Sequence, residues 1–387
     1  MTAGVARLSW GEVRARRLER HGLAAPWQDG GPARVVGAIC GAHAQVLSAA
    51  ELSVGLRMAG GTRAQVRAAL WDDHTLVKTY GLRGTVHLLP TRDLPMWTGA
   101  LSAIASASNP LPEDARLTPD QTDAVVAAIA AVLADAELTV DELTEALVAT
   151  AGPWAGDLVV PAWQEYWPRW RPAAYTAANR GVLCFGPNRD RKVTYTNPQR
   201  WLPGFQPTDG PAALGDLVGR YLHAYGPATP QHVGQWLAAP RGRAAELFDT
   251  LAAGLEQVEV DGDLGWVVAG DTAVPSTPPR GVRLLPYFDA YTVGCHPRVR
   301  VFSGRAAERA LSGGQAGNFP VLLVDGTVAG IWHQRRSGPT VHLTVEPFDP
   351  LTPAQLRDLD DQVARVGELV DARTRLTIGT VTTGGHA

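Results

Sequence analysis

Residues 212–269 carry a pattern with few structural solutions. Leu214, Leu217, Val218, Tyr221, Leu222 and Tyr225 recur at helical spacing along one stripe. Gly226-Pro227 stops that helix, and Thr229-Pro230 supplies an N-cap followed by proline at the first helical position. A short helix then carries Val233, Trp236 and Leu237, and a third carries Leu247, Phe248, Leu251 and Leu255. Val258-Glu259-Val260, the turn Asp261-Gly262-Asp263 and Trp266-Val267-Val268 read as strand, tight turn and returning strand. Three helices followed by a β-hairpin make a winged helix, a plan that docks on double-stranded DNA.

The same plan recurs twice earlier. Near the start, Ser9-x-x-Glu12 forms a capping box opening a helix to about His21. Ser48-x-x-Glu51 predicts a second box and a helix to about Met58, and Thr62 caps a helix reaching Trp71. Residues 76–80 and 85–89 can pair as a hairpin. In the middle, Thr118-Pro119 starts a helix to about Ala134, and Thr139 with Glu142 starts another. A Trp-rich helix is expected over 163–179, bent or broken at Pro168 and Pro172. Strands at 183–185 and 193–195 then flank a loop bearing Arg189, Arg191 and Lys192, a basic wing. Beyond Pro275 the chain changes character, with strands at 284–286, 321–324, 328–332 and 341–345, a helix at 353–370 and a last strand near Leu376. The expected architecture is α+β: winged helices at 1–110, 111–210 and 211–275, then a β-barrel-like domain with one helix at 276–387.

Bulk properties fit such a chain. Its 387 residues exceed one small module, and 45% hydrophobic content supports sizeable cores. No apolar run approaches the roughly 20 residues that span a bilayer, and the first eight residues lack a secretory apolar region. Cys40, Cys184 and Cys295 are few and far apart, so they read as small buried side chains of a cytoplasmic protein. Net charge is -3, which argues against a basic nucleic-acid coat. Yet residues 1–100 hold twelve Arg/Lys against seven acids, and residues 161–205 hold seven against two. Neither lysine follows a glycine and no histidine precedes a glutamate, which removes P-loop and zinc-protease motifs. Gly-x-Ser-x-Gly, Ser-x-x-Lys and Cys-x-x-Cys are also missing.

Three constellations could carry chemistry. In Gly41-Ala42-His43-Ala44-Gln45, His43 and Gln45 share a side only on an extended or irregular backbone. A glutamine can hold a water and a histidine can move a proton near neutral pH; the competing reading is a polar helix-entry loop. In Arg83-Gly84-Thr85-Val86-His87, Arg83 and Gly84 sit at a hairpin tip suited to a phosphate or groove, or form an ordinary turn with His87 packed. In the third, Asp289 lies among Tyr287, Phe288 and Tyr291, able to form an ion pair with Arg298 or to meet DNA-contacting groups.

Together with Leu8-Ser9-Trp10, Arg14, Arg17, Ser48-Ala49, Arg57, Tyr225 to Thr229, Leu285 to Tyr291, Val324-Asp325-Gly326, Gly330 and Trp332, these pieces occur in an order that resembles the AlkZ/YcaQ-type winged-helix DNA glycosylases. The resemblance covers nearly the whole length. It implies three winged helices in a C-shaped arrangement around duplex DNA carrying alkylated bases, joined to a β-barrel. It also implies N-glycosidic cleavage of N7- or N3-alkylated purines, some interstrand crosslinks included, by a cytoplasmic, nucleoid-associated monomer needing no metal or cofactor. The family's Gln-x-Gln or Gln-x-Asp motif maps onto His43 and Gln45, so the first position departs from the pattern. Arg57, Arg83, Gly84, Thr85 and His87 then map to DNA contact or site support, with Arg189, Arg191 and Lys192 on the second wing and Asp289 and Arg298 in support. Two other readings stand beside the glycosylase: a non-catalytic DNA-binding regulator, and a scaffold whose winged helices meet protein.

Overall fold

Strand β1 (Ala6–Leu8) leads into helix α1 (Trp10–Arg20). The Ser9 hydroxyl accepts from the Glu12 amide at 3.2 Å, and the Ser9 amide donates to the Glu12 carboxylate at 2.7 Å. This reciprocal cap satisfies donors left over at the first turn. Helix α2 (Gly31–Ala38) starts after the left-handed Gly30, without a polar side-chain cap, which is why the sequence pattern missed it. A short strand β2 (Ala42–His43) precedes α3 (Leu47–Leu56) and α4 (Arg63–Trp71). The computed structural model describes residues 5–104, 111–162, 165–240 and 242–386. They build two compact units, one from residues 5–68, 218–236 and 242–386, the other from residues 69–104, 111–162, 165–217 and 237–240.

The second unit begins with the hairpin β3 (Leu76–Tyr80) and β4 (Val86–Pro90), in the register Leu76↔Pro90 to Tyr80↔Val86. Next come α5 (Leu94–Ala103), α6 (Pro119–Val132), β5 (Leu138–Thr139) and α7 (Val140–Ala151). Capping boxes form at Thr118/Gln121 and Thr139/Glu142. Strands β6 (Leu158–Pro161) and β7 (Tyr166–Pro168) pair antiparallel, and α8 (Ala173–Asn179) follows. The expected helix over 163–179 is therefore corrected: it starts only at Ala173, and Trp163 lies outside the described residues. Trp167 and Arg171 each precede a proline, which drives them from helical backbone. Strands β8 (Cys184–Phe185) and β9 (Thr194–Thr196) complete a sheet in which β4, β3, β8, β9 and β5 are successive neighbours. The first hairpin thus shares its sheet with strands from the middle of the chain.

The 212–269 pattern appears as α9 (Gly210–Tyr225), α10 (Pro230–Leu237), α11 (Arg243–Leu251) and the hairpin β10 (Leu255–Val260) with β11 (Asp263–Val268). Tyr221 packs on Trp236 with ring centroids 4.5 Å apart. Strand β1 adds to the hairpin in parallel, Ala6 opposite Val258, and makes it a three-stranded sheet. Leu8, Trp10, Val13, Val258, Val260 and Val267 bury one face of it.

The C-terminal region holds β12 (Val282–Leu285), α12 (Ala290–Gly294), α13 (Arg305–Arg309), β13 (Val321–Val324), β14 (Thr327–Ser337), β15 (Thr340–Pro347), α14 (Pro353–Val370) and β16 (Arg373–Ile378). Strands β12 to β16 are neighbours in sequence order, antiparallel except for β15 with β16. The sheet curls into a half-barrel, and both its edge strands pack on α14. Trp332, Leu343, Val345, Leu359 and Val366 fill the concave side, joined there by Leu52 and Leu56 of α3. Among the described residues no helix is long and apolar enough to cross a membrane.

Candidate active site

The backbone turns sharply before the His43 segment. Cys40 and Gly41 are consecutive left-handed residues (φ 55 and 90), and the Gly41 amide closes on the Val36 carbonyl at 2.9 Å. This ends α2 and launches β2 as extended chain. Burial then alternates: Ala42 and Ala44 are buried, His43 is half-buried and Gln45 is exposed. The two alanines are thus turned into the protein, while His43 and Gln45 keep exposed surface. The imidazole of His43 stacks on Phe288, centroids 4.4 Å apart and planes 28° apart. His386 meets the other partner surfaces of that cluster, 5.4 Å from Phe288 and 5.5 Å from Tyr287.

Helix α3 fixes this segment to the half-barrel. Eight consecutive residues, Ala49 to Leu56, are buried, as expected of a helix enclosed on all sides. The expected Ser48/Glu51 capping box does not form; Val46 is the N-cap and no side chain caps it. Glu51, 1% exposed, is taken by ion pairs with Arg63 and Arg67. Two guanidinium partners outbid a single amide. At the C-cap of α3, Arg57 donates to both carboxylate oxygens of Asp289 at 2.8 Å, and the Ser53 hydroxyl donates at 2.6 Å. Burial alone would raise the Asp289 carboxyl, but the Arg57 charge, these hydrogen bonds and one from the Tyr291 amide hold it below the usual carboxylate range. The expected Asp289–Arg298 pair is corrected: Arg298 donates instead to the carbonyls of Thr292 and Val293. Arg57 is corrected too, since a fully buried side chain locked to Asp289 cannot reach a phosphate. The spacing Ser53/Arg57 on one helix face was the available signal for this pair.

His21 completes the buried network. It packs edge-on against Tyr225 and Tyr291, at 4.7 and 5.5 Å. Burial and the Arg57 charge pull its pKa down to about 3. Arg17, 1% exposed, donates to the carbonyls of Tyr225, Pro227 and His296. It ties α1 to the connection between α9 and α10 and to the region before Arg298.

Residues 36–369 match the family model described as DNA glycosylase AlkZ-like. The chain belongs to the AlkZ-like DNA glycosylases. It is 31% identical over 369 residues to an interstrand DNA cross-link repair glycosylase of Streptomyces sahachiroi, across 92% of this chain and 95% of that protein. The solved structure of Streptomyces sahachiroi DNA glycosylase AlkZ matches with a TM-score of 0.79 at 28% identity, over 96% of this chain and 100% of that one. The chain is thus an enzyme, a DNA glycosylase with mixed helix and sheet content.

The remaining candidate residues of this AlkZ-like glycosylase lie in the second unit. At the β3–β4 tip, Arg83 (φ 58) and Gly84 (φ 69) are exposed. The Thr85 hydroxyl donates to the Leu82 carbonyl at 3.0 Å, and His87 Nδ1 lies 3.0 Å from the Thr85 carbonyl oxygen. His87 is 4% exposed, and its ring fills the space that a Cβ on Gly81 would occupy. Thr85 and His87 therefore shape the tip, while Arg83 and Gly84 form its surface. On the β8–β9 loop, Arg189 pairs with Glu142 at 2.7 Å and Lys192 with Asp141 at 2.7 Å, both acids from α7; Arg191 is exposed.

Proposed function

We propose that this glycosylase hydrolyses the N-glycosidic bond of N7- and N3-alkylated purines in duplex DNA, and unhooks interstrand crosslinks made through such positions. In this reading Gln45 holds the attacking water and His43 orients it and accepts its proton. The observation that carries the reading is the alternating burial of this segment, in which Ala42 and Ala44 are buried while His43 is half-buried and Gln45 exposed. A purine alkylated at N7 already bears positive charge. When its bond to C1′ breaks, the electron pair stays with the base, which leaves neutral. The water oxygen bonds to C1′, and its proton passes to the imidazole. The protein has only to seat the DNA, steady the developing sugar cation and hold one water. The Streptomyces sahachiroi relative is an interstrand DNA cross-link repair glycosylase, which supports including crosslinks among the substrates. We assign Arg83, Gly84 and Arg191 to the DNA surface. We read the chain as three tandem winged helices with the half-barrel at the end, divided at 110, 210 and 275.

The test is release of free base, or formation of abasic sites, from duplexes carrying N7-methylguanine or a nitrogen-mustard crosslink. The expected result is product from the wild type and a loss of roughly 10²-fold or more in single-turnover rate for Gln45→Ala with DNA binding retained. His43→Ala should lose on the order of 10-fold or more. Wild-type release by Gln45→Ala would overturn the assignment of the water. Binding without any product from the wild-type protein would overturn the substrate class.

A further inference from the structure

Phe288 is a half-buried aromatic residue at φ 54, a backbone region that bulky side chains rarely enter. Its conformation is fixed from two sides. Its amide donates to the Gly317 carbonyl at 2.9 Å, and Gly317 is itself at φ 103, where a Cβ would lie 2.9 Å from the Phe288 ring. The next residue, Asp289, is anchored through Arg57 to α3, the helix that follows Gln45. The left-handed turn at Phe288 aims its ring at His43, where the two rings stack at 4.4 Å. Strain of this kind persists only where the surroundings impose it, and it concentrates at functional sites.

We propose that Phe288 is a positioning residue: it sets the plane of the His43 imidazole so that a ring nitrogen faces the water on Gln45. The proposal rests on the reading of His43 and Gln45 given above. It explains how a flat, rotatable histidine beside Gln45 can be held in one orientation. A glutamine can be aimed by hydrogen bonds at its amide; an imidazole also needs its plane fixed, and a stacked ring does that without consuming either nitrogen. Asp289 and Arg57 act one step further back, holding the turn that holds the ring.

The experiment uses the full chain and a duplex with one N7-methylguanine, comparing Phe288→Tyr, Phe288→Ala and Phe288→Gly with His43→Ala and the double variant His43→Ala/Phe288→Gly. Glycine tolerates the positive φ and alanine does not, so Phe288→Gly should melt higher than Phe288→Ala. Both should nevertheless lose the same activity, on the order of 10-fold in single-turnover rate and no more than His43→Ala, with DNA affinity within about twofold of wild type. Phe288→Tyr should restore the rate to within a few-fold. The double variant should be no slower than His43→Ala. In NMR spectra the ring-current shift of the His43 carbon-bound protons should vanish in Phe288→Gly and persist in Phe288→Tyr. Activity that tracks melting temperature, a rate unchanged in Phe288→Gly, or multiplying losses in the double variant would each overturn the positioning role while leaving His43 as assigned. If His43→Ala alone keeps the wild-type rate, the underlying reading fails instead.

Discussion

His21 has no exposed surface, sits between the rings of Tyr225 and Tyr291, and lies near the Arg57–Asp289 pair. A buried imidazole beside a guanidinium stays neutral. Its folded pKa is about 3, against about 6.5 in an unfolded chain. The folded state therefore binds fewer protons than the unfolded one, and stability present above pH 6.5 is lost as pH falls toward 3. From pH 7 to pH 5 that linkage costs about 2 kcal/mol. Asp289 acts in the same sense further down: held ionised below its ordinary range, it contributes stability above about pH 4 that disappears at lower pH. We expect His21→Phe, close in shape, to lose most of the fall in urea-unfolding free energy between pH 7 and pH 5. An equal fall in wild type and variant would show that His21 does not carry it. None of this was readable in sequence. The motif Gly41 to Gln45 could be singled out because its two polar residues alternate with alanines. What lies against it depends on contacts more than 200 positions away in the chain, such as Ser53 with Asp289 at a separation of 236. Local spacing carries no record of such contacts.

At the scale of elements, patterns that close within one turn were the ones that could be read. The boxes at Ser9/Glu12, Thr118/Gln121 and Thr139/Glu142 form as their i, i+3 spacing demands. Ser48/Glu51 has the same spacing and fails, because Arg63 and Arg67 arrive from the next helix to claim the carboxylate. The β10–β11 hairpin follows from its Asp-Gly turn, but its parallel partner β1 comes from about 250 residues earlier, beyond any turn chemistry. Helix α3 shows what such long-range packing asks of a residue. Gly55 faces α14, where a Cβ would lie 2.4 Å from Leu369 Cδ2, and Leu369 is itself 2% exposed. Gly55→Ala gains helix propensity of up to about 1 kcal/mol. It also forces a buried leucine off its position at about 1–3 kcal/mol. The second effect should win. We expect a net loss of about 1–2 kcal/mol in chemical denaturation, with base release slowed because α3 carries the segment bearing Gln45. A variant as stable as wild type would show that the α3–α14 contact yields easily.

For the molecule as a whole, charge has to be counted by what each residue already holds. The excess of basic residues in the first hundred positions includes Arg16, Arg17 and Arg57, all 1% exposed or less. Those charges are spent on carbonyls and carboxylates inside the fold and cannot neutralise phosphates. On the β8–β9 loop, Arg189 and Lys192 are exposed but already face Glu142 and Asp141. With a net charge of -3, this enzyme should make few phosphate contacts and show a shallow salt dependence. Each phosphate neutralised adds about 0.9 to the slope of log affinity against log salt. Arg83, exposed at a tip shaped by Thr85 and His87, should account for one of them. We expect Arg83→Ala to flatten the slope by about one and weaken all duplexes alike. Arg189→Ala should flatten it by less than a full phosphate contact would, since a guanidinium already matched to Glu142 releases fewer counterions. The converse change separates these two roles. Glu142→Gln keeps the Thr139 cap, because glutamine also serves at that position, but removes the charge that holds Arg189. It should steepen the slope toward that of one additional phosphate contact if the β8–β9 loop lies on DNA. An unchanged slope in Glu142→Gln, measured by fluorescence anisotropy between about 50 and 200 mM salt, would take that loop off the DNA surface and leave the β3–β4 tip as the contact in the second unit.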